Sequence, residues 1–157
     1  QWAKTGKIVQ SLFDLLMDQS FFSFPPPKST GRELFNLHWL EYKISQCTPQ
    51  SPENVQATLL QLTVISIANA ITDYCPTASE IYVCGGGAHN THLIKQLSNA
   101  LPHCTVALTN KLGVDADWVE AFAFAWLAQL TILRKPGNLS AVTGAKGERI
   151  LGAIYPA

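Results

Sequence analysis

The sequence predicts an α/β layer protein, and three observations carry that reading. Short β-rich runs at residues 80–84 and 104–108 alternate with helix-period stretches. A third β-rich run, Arg149–Tyr155, closes the chain. A run of three glycines, Gly85-Gly86-Gly87, stands between the first strand and the helix after it. Three strands against four or more helices make a small mixed sheet flanked by several helices. Sheets commonly have four to six strands, so either this chain holds further strands that its pattern does not show, or the sheet is completed by residues outside it.

Taken in order, apolar Ile8, Leu12, Leu15 and Leu16 recur at helical spacing and predict a helix over 2–19. Phe21-Phe22-Ser23-Phe24 then runs into Pro25-Pro26-Pro27, which no helix can continue. Two readings stay open there: a stiff surface linker, or a rim segment whose phenylalanines tuck under a neighbour. Thr30 with Glu33 has the spacing of a capping box, and Leu34, Leu37 and Leu40 follow it, predicting a helix over 31–44. Ser51 caps a further helix with Pro52 in its first turn, where the missing N–H costs nothing. That helix runs to about Tyr74 and is stopped by Pro76. Beyond the glycines, helices are expected over 90–99 and 117–130.

Composition excludes several classes. Only 14% of the 157 residues are charged, 47% are apolar, and 11 basic residues balance 11 acidic ones. A nucleic-acid module would carry a basic patch, and a disordered chain would combine low hydrophobicity with high net charge. The longest apolar run, Ala121–Ala128, is far shorter than the roughly 20 residues of a membrane span. Neither a membrane nor a nucleic acid is expected as partner. Cys47, Cys75, Cys84 and Cys104 form no CxxC pair, so a zinc knuckle and a thioredoxin motif are both out. Cys84, inside an apolar run, reads as a small hydrophobe. A reducing cytoplasm is the simplest compartment.

Two segments carry the candidate chemistry. In Gly85-Gly86-Gly87-Ala88-His89-Asn90 the glycines remove every Cβ from a strand-to-helix turn, and the following helix points free N–H groups at the same place. Ligands of open α/β sheets bind at the carboxyl ends of strands. The pattern is neither a GxGxxG fingerprint, since Asn90 fills the third glycine position, nor a P-loop. Steric relief of a tight turn is the plainer alternative; three glycines in a row favour a nucleotide contact. Asn90 can cap the helix, bond a ribose or base, or do both. His89 and His92, with His103 and Cys104, lack the spacing of a zinc set and read as exposed or capping residues, so no metal ligands are assigned. In Gly113–Glu120 three acids gather at a helix start. Asp117 as cap and Glu120 reaching back form one reading. The other is that Glu120, held on a rigid first turn, accepts hydrogen bonds from a hydroxylated substrate.

Four blocks in order resemble the bacterial anhydro-N-acetylmuramic acid kinases: residues 25–36 (PPPKSTGRELFN), 83–90 (VCGGGAHN), 113–121 (GVDADWVEA), and the tail from Val142-Thr143-Gly144-Ala145 to Ile150–Pro156. The resemblance implies an actin/hexokinase-like ATPase fold, ribonuclease H-like in its lobes, with a cleft between two α/β lobes. It implies ATP and Mg²⁺ as cofactors and 1,6-anhydro-N-acetylmuramic acid as substrate. The sugar would be hydrolytically opened and phosphorylated to N-acetylmuramic acid 6-phosphate in cell-wall recycling. By the same resemblance Gly85, Gly86, Gly87, Ala88 and Asn90 form the adenosine-side motif, and Glu120 is a sugar contact.

A full family member is more than twice as long. The resemblance implies a glycine-rich phosphate loop near its N-terminus and a catalytic aspartate in a central strand–turn segment, neither of which is in this sequence. Asp14, Asp18, Asp73, Asp115 and Asp117 do not sit in the context of that aspartate, so no catalytic base is assigned in this chain. The expectation is that residues 1–157 are a single C-terminal lobe, inactive alone. The missing N-terminal lobe would be its partner, and a homodimer is a further assembly left open. A non-catalytic nucleotide-binding or regulatory module of the same fold is the alternative.

Overall fold

A computed structural model of the chain describes residues 2–155. It is organised around one long helix. In chain order the elements are α1 (Gln10–Met17), α2 (Leu37–Ser45), α3 (Pro52–Tyr74), β1 (Glu80–Val83), α4 (Thr91–Ala100), β2 (Thr105–Leu108), α5 (Val119–Ile132) and the single-turn α6 (Ser140–Thr143). Short 3₁₀ turns at Trp2–Lys4, Ser20–Ser23, Gly86–His89 and Thr109–Leu112 join them.

The 23 residues of α3 make a rod of about 34 Å at 1.5 Å per residue. Its N-terminal half packs on α1, where Leu12 and Leu16 are fully buried against Leu62, with Trp39, Leu40 and Ile44 of α2 around them. Its C-terminal half packs on α4, and Ala68, Leu97 and Leu101 close a second core with Ile81, Val83 and Val106 of the strands. On length and composition α3 could cross a membrane. Here its apolar face is shared between the two cores.

The sheet has two strands among the described residues, β1 and β2, paired in parallel with Ile81 opposite Val106 and Val83 opposite Leu108. A parallel pair needs a crossover, and α4 supplies it. The expected mixed sheet is therefore corrected to a parallel one. The expected third strand at 149–155 is also absent from the described part, residues 149–155. Its backbone is used otherwise: Asn138 Oδ1 accepts the Arg149 N–H (2.6 Å), Gly137 N–H donates to the Arg149 carbonyl (3.0 Å), and the Thr131 hydroxyl donates to the Leu151 carbonyl. The segment is thus laid along α5 rather than in a ladder. Pro156, the end of the tail block, lies outside the described residues.

Side-chain competition also explains where helices begin. The expected helix over 2–19 is regular only from Gln10. Residues 5–9 run along the start of α3 instead, where Asn54 Oδ1 takes the Lys7 N–H (2.8 Å) and Thr58 Oγ1 takes the Val9 N–H (3.0 Å). Gly6 allows this approach, since a Cβ there would sit 2.0 Å from the Glu53 carbonyl oxygen. The expected helix over 31–44 begins at Leu37, because Asn36 rather than Thr30 is its cap, accepting from the Trp39 N–H at 2.9 Å. Glu33 instead takes the Gly31 N–H at 2.6 Å. Its own backbone N–H, that of Gly31 and the Thr30 hydroxyl hold its carboxyl below the ordinary value of 4.5. The helix expected from Pro52 to about Tyr74 is α3, although Ser51, at its N-cap, makes no side-chain cap bond.

Of the two readings of the proline-rich approach, the tucked rim fits Phe21 and Phe22. Their rings pack with Phe35 at centroid distances of 5.7 and 5.5 Å, and Phe35 meets Trp39 edge-on at 5.1 Å. Lys28 Nζ donates to the carbonyls of Phe21 and Phe22, both at 3.0 Å. Phe24 stays exposed. Cys84, expected inside a strand, is exposed one residue beyond β1, and all four cysteines are free thiols.

Thr58 is the one buried polar side chain among the described residues. Its hydroxyl donates to the Asn54 carbonyl (2.8 Å) while accepting from Val9. Thr58→Val keeps the shape and strands the Val9 N–H. Denaturant unfolding should show a loss of about 1–3 kcal/mol with an unchanged m-value.

Candidate functional site

The two chemistry-bearing segments leave the carboxyl ends of the two parallel strands, so the fold brings them together. After Val83 the chain turns at Gly85 with φ +71° and ψ −171°. Only glycine adopts that backbone region readily. Gly86–His89 form a single 3₁₀ turn, and Asn90 caps α4 by accepting the Leu93 N–H at 3.1 Å. The capping reading of Asn90 is therefore realised. Its amide nitrogen faces outward on an exposed residue and has no partner among the described residues.

The three glycines are not equivalent. Gly85 is required by its backbone angles. A Cβ on Gly86 would meet nothing within 4 Å, and one on Gly87 would touch only Leu93 Cδ2 at 3.9 Å. Nothing inside the chain therefore demands glycine at 86 or 87. No acceptor among the described residues takes the N–H of Gly86 or Gly87, which leaves two donors facing outward beside the start of α4, where an anion is favoured. Ala88 is buried and its N–H donates to the Gly85 carbonyl at 2.9 Å, so it serves the packing of the turn rather than offering a free group to a ligand. Gly86, His89, Asn90, Thr91 and His92 line an open cleft of about 980 Å³ whose opposite wall is Lys4 and Thr5. Pockets that hold drug-sized ligands run about 300–1,000 Å³.

The second segment leaves β2 through the turn Thr109–Leu112 and Gly113, which has φ +83°. Asp115 organises it: Oδ2 accepts from Asn110 Nδ2 (2.9 Å) and Oδ1 from the Asp117 N–H (3.0 Å). This Asx turn delays the helix expected over 117–130, which spans Val119–Ile132. Asp117 is not the cap that its position suggested. The N-cap is Trp118, without a side-chain bond, and the Asp117 carboxylate instead meets His89 Nε2 at 2.6 Å. Beside that contact the Gly85 N–H donates to the carbonyl of buried Ala116 at 2.8 Å. Glu120 sits on the first turn of α5, exposed, and does not reach back to bond the loop. It lies outside the lining of the glycine cleft.

Sequence reasoning placed Gly85–Asn90 as one turn and Glu120 on a helix start. It missed the His89–Asp117 contact and the Gly85–Ala116 bond that join the segments. The signal was present only indirectly: in a parallel pair joined by a crossover, both carboxyl ends open at the same edge.

The inequivalence of the glycines has a direct test in stability. Gly85→Ala should cost about 1–3 kcal/mol, whereas Gly86→Ala should be neutral or slightly stabilising. Both are read by denaturant midpoints, and equal losses at the two positions would contradict the geometry.

Comparison with known proteins extends these observations. The family model described as anhydro-N-acetylmuramic acid kinase matches residues 1–157. A protein of that name from Nitrosospira multiformis is 58% identical over all of this chain, covering 42% of the relative. Those of Nitrosomonas europaea and Pseudomonas savastanoi pv. phaseolicola are 52% and 50% identical, over 99% and 100% of this chain and 42% and 43% of their own lengths. The chain thus spans well under half the length of the curated relatives it matches. The match runs over every residue of the glycine turn, the acidic loop and the tail, and the chain belongs to the anhydro-N-acetylmuramic acid kinase family.

Proposed function

We propose that this chain supplies the adenosine side of an ATP site and part of the sugar wall of an anhydro-N-acetylmuramic acid kinase. The observation that carries the reading is the glycine turn: Gly86 and Gly87 lack side chains where nothing in the chain would obstruct them. Their N–H groups have no acceptor among the described residues and belong to exposed residues just before α4. A ligand lying against the backbone accounts for both facts. The Asn90 amide nitrogen stands free to bond a ribose hydroxyl or a base edge, while its oxygen holds the cap. Glu120 is exposed on the first turn of α5, and in this reading it would accept from sugar hydroxyls.

In the whole protein the reaction would use ATP and water. Water, giving a proton to a base outside these residues, would attack the anomeric carbon, the bond from that carbon to O6 would break, and O6 would take the γ-phosphoryl group as its bond to the departing ADP breaks. The product is N-acetylmuramic acid 6-phosphate, formed in the cytoplasm during cell-wall recycling. This chain's part is positioning, which alone can supply several kcal/mol of a barrier. Catalytic base and phosphate loop are assigned to the protein outside these residues. Mg²⁺ would accompany the ATP phosphates; among the described residues no three Asp, Glu, His or Cys side chains converge, and no ligand for the ion is assigned to this chain.

The reading of the chain as one lobe of a two-lobe ATPase-type kinase has its own support. α5 is apolar around its whole circumference, yet none of its residues is buried. Phe122, Phe124 and Ile132 are 60–71% exposed. A helix apolar on all sides is ordinarily packed on all sides. The alternative, a nucleotide-binding module without chemistry, shares the turn but gives Glu120 no task.

The test is made in the complete gene product that carries this segment. Gly86→Val should weaken ATP binding by calorimetry, because the branched side chain blocks the backbone approach. Glu120→Gln should raise the sugar KM or lower kcat with little loss of stability. Unchanged nucleotide affinity in the first would reduce the glycines to turn sterics. Intact kinetics in the second, with about 0.5–2 kcal/mol of lost stability, would leave Glu120 only a helix-start role.

A further inference from the structure

We infer that His89 and Asp117 are a positioning pair that holds the carboxylate of Glu120 in register with the glycine turn, and so couples the two halves of the site. The inference rests on the functional reading above and adds residues that it does not assign.

Three facts converge. First, the contact is close and spans separate segments: His89 Nε2 and Asp117 Oδ1 are 2.6 Å apart across 28 positions of sequence. No other basic and acidic side chains approach within 4.0 Å of each other among the described residues. Second, it stands at one end of a short rigid chain of bonds. The Gly85 N–H holds the Ala116 carbonyl, and Asp115 holds both Asn110 and the Asp117 N–H. Third, α5 packs extensively on no other helix or strand of the chain. Among the described residues, Gly137 and the segment around Leu151 lie along it. The place of its first turn relative to the glycine turn is therefore set from the Ala116–Asp117 side, three residues before Glu120.

The pair is poorly placed to act by stabilising the fold. Its side chains are 65% and 54% exposed, and exposed pairs contribute little to stability. What it fixes is direction. His89 belongs to the turn that lines the cleft, so a nucleotide that orders this turn would order Asp117, and with it Glu120.

Kinetics and calorimetry on the complete gene product test this with His89→Ala, Asp117→Ala, the double variant and Asp117→Asn. The asparagine oxygen can still accept from the imidazole. Each alanine replacement should raise the sugar KM about two- to fivefold, with ATP affinity changed less and thermal unfolding nearly unmoved. The double variant should be no worse than the poorer single one, and Asp117→Asn should recover most of the loss. Additive losses, an Asp117→Asn loss equal to that of Asp117→Ala, or an effect of His89→Ala confined to ATP affinity would each overturn the pairing. If Gly86→Val and Glu120→Gln act while the pair is silent, the pairing fails and the site reading stands. If all of them are silent, both fail.

Discussion

The arrangement of the site depends on how β1 ends. Gly85 leaves the strand in a backbone region closed to other residues and, in the same step, turns its N–H to the carbonyl of Ala116. One peptide group thus does two jobs. It aims Gly86 and Gly87 outward, and it ties the loop after β2 to the loop after β1. Parallel pairing makes this possible, since both strands end at the same edge. An antiparallel pair would send the two loops to opposite ends, and the glycine turn and the start of α5 would never meet.

α3 carries the platform under that edge. One helix serves two cores, a helical one with α1 and α2 and a mixed one with α4 and the strands. The polar fixings lie at its start, where Asn54 and Thr58 take backbone N–H groups of the N-terminal segment. The same segment carries Lys4 and Thr5, the far wall of the cleft. Packing in the core and the shape of the cleft are therefore connected through the first turns of α3. The low charge of the chain has a visible counterpart in α5 and the segment along it. There Phe124, Ile132, Leu139 and Ile154 are all exposed.

Much of this was legible in the sequence where local chemistry decides. Pro52 after Ser51 marks the start of α3, Pro76 marks its stop, and Asn90 caps α4 as its position predicts. The α/β class followed from alternation alone. Reading failed where a side chain elsewhere in the chain outbid the local pattern. Residues 5–9 carry a helical stripe, but Asn54 and Thr58 hold their amides. Residues 149–155 look like a strand, but Asn138, Gly137 and Thr131 take up their backbone. Thr30 and Glu33 have capping-box spacing, but the helix waits for Asn36. Asp117 has a capping position, but His89 lies within reach. Each of these partners is at least three positions away, and most are more than ten, beyond what periodicity can see.

The central claim is that the turn from Gly85 to Asn90 lies against a nucleotide, and amide hydrogen exchange reads those N–H groups directly. On adding ATP to the complete gene product, the account predicts slowed exchange over residues 85–92, with a smaller effect carried through Ala116 to residues 114–120. Exchange that is unchanged at the turn while another region becomes protected would contradict it.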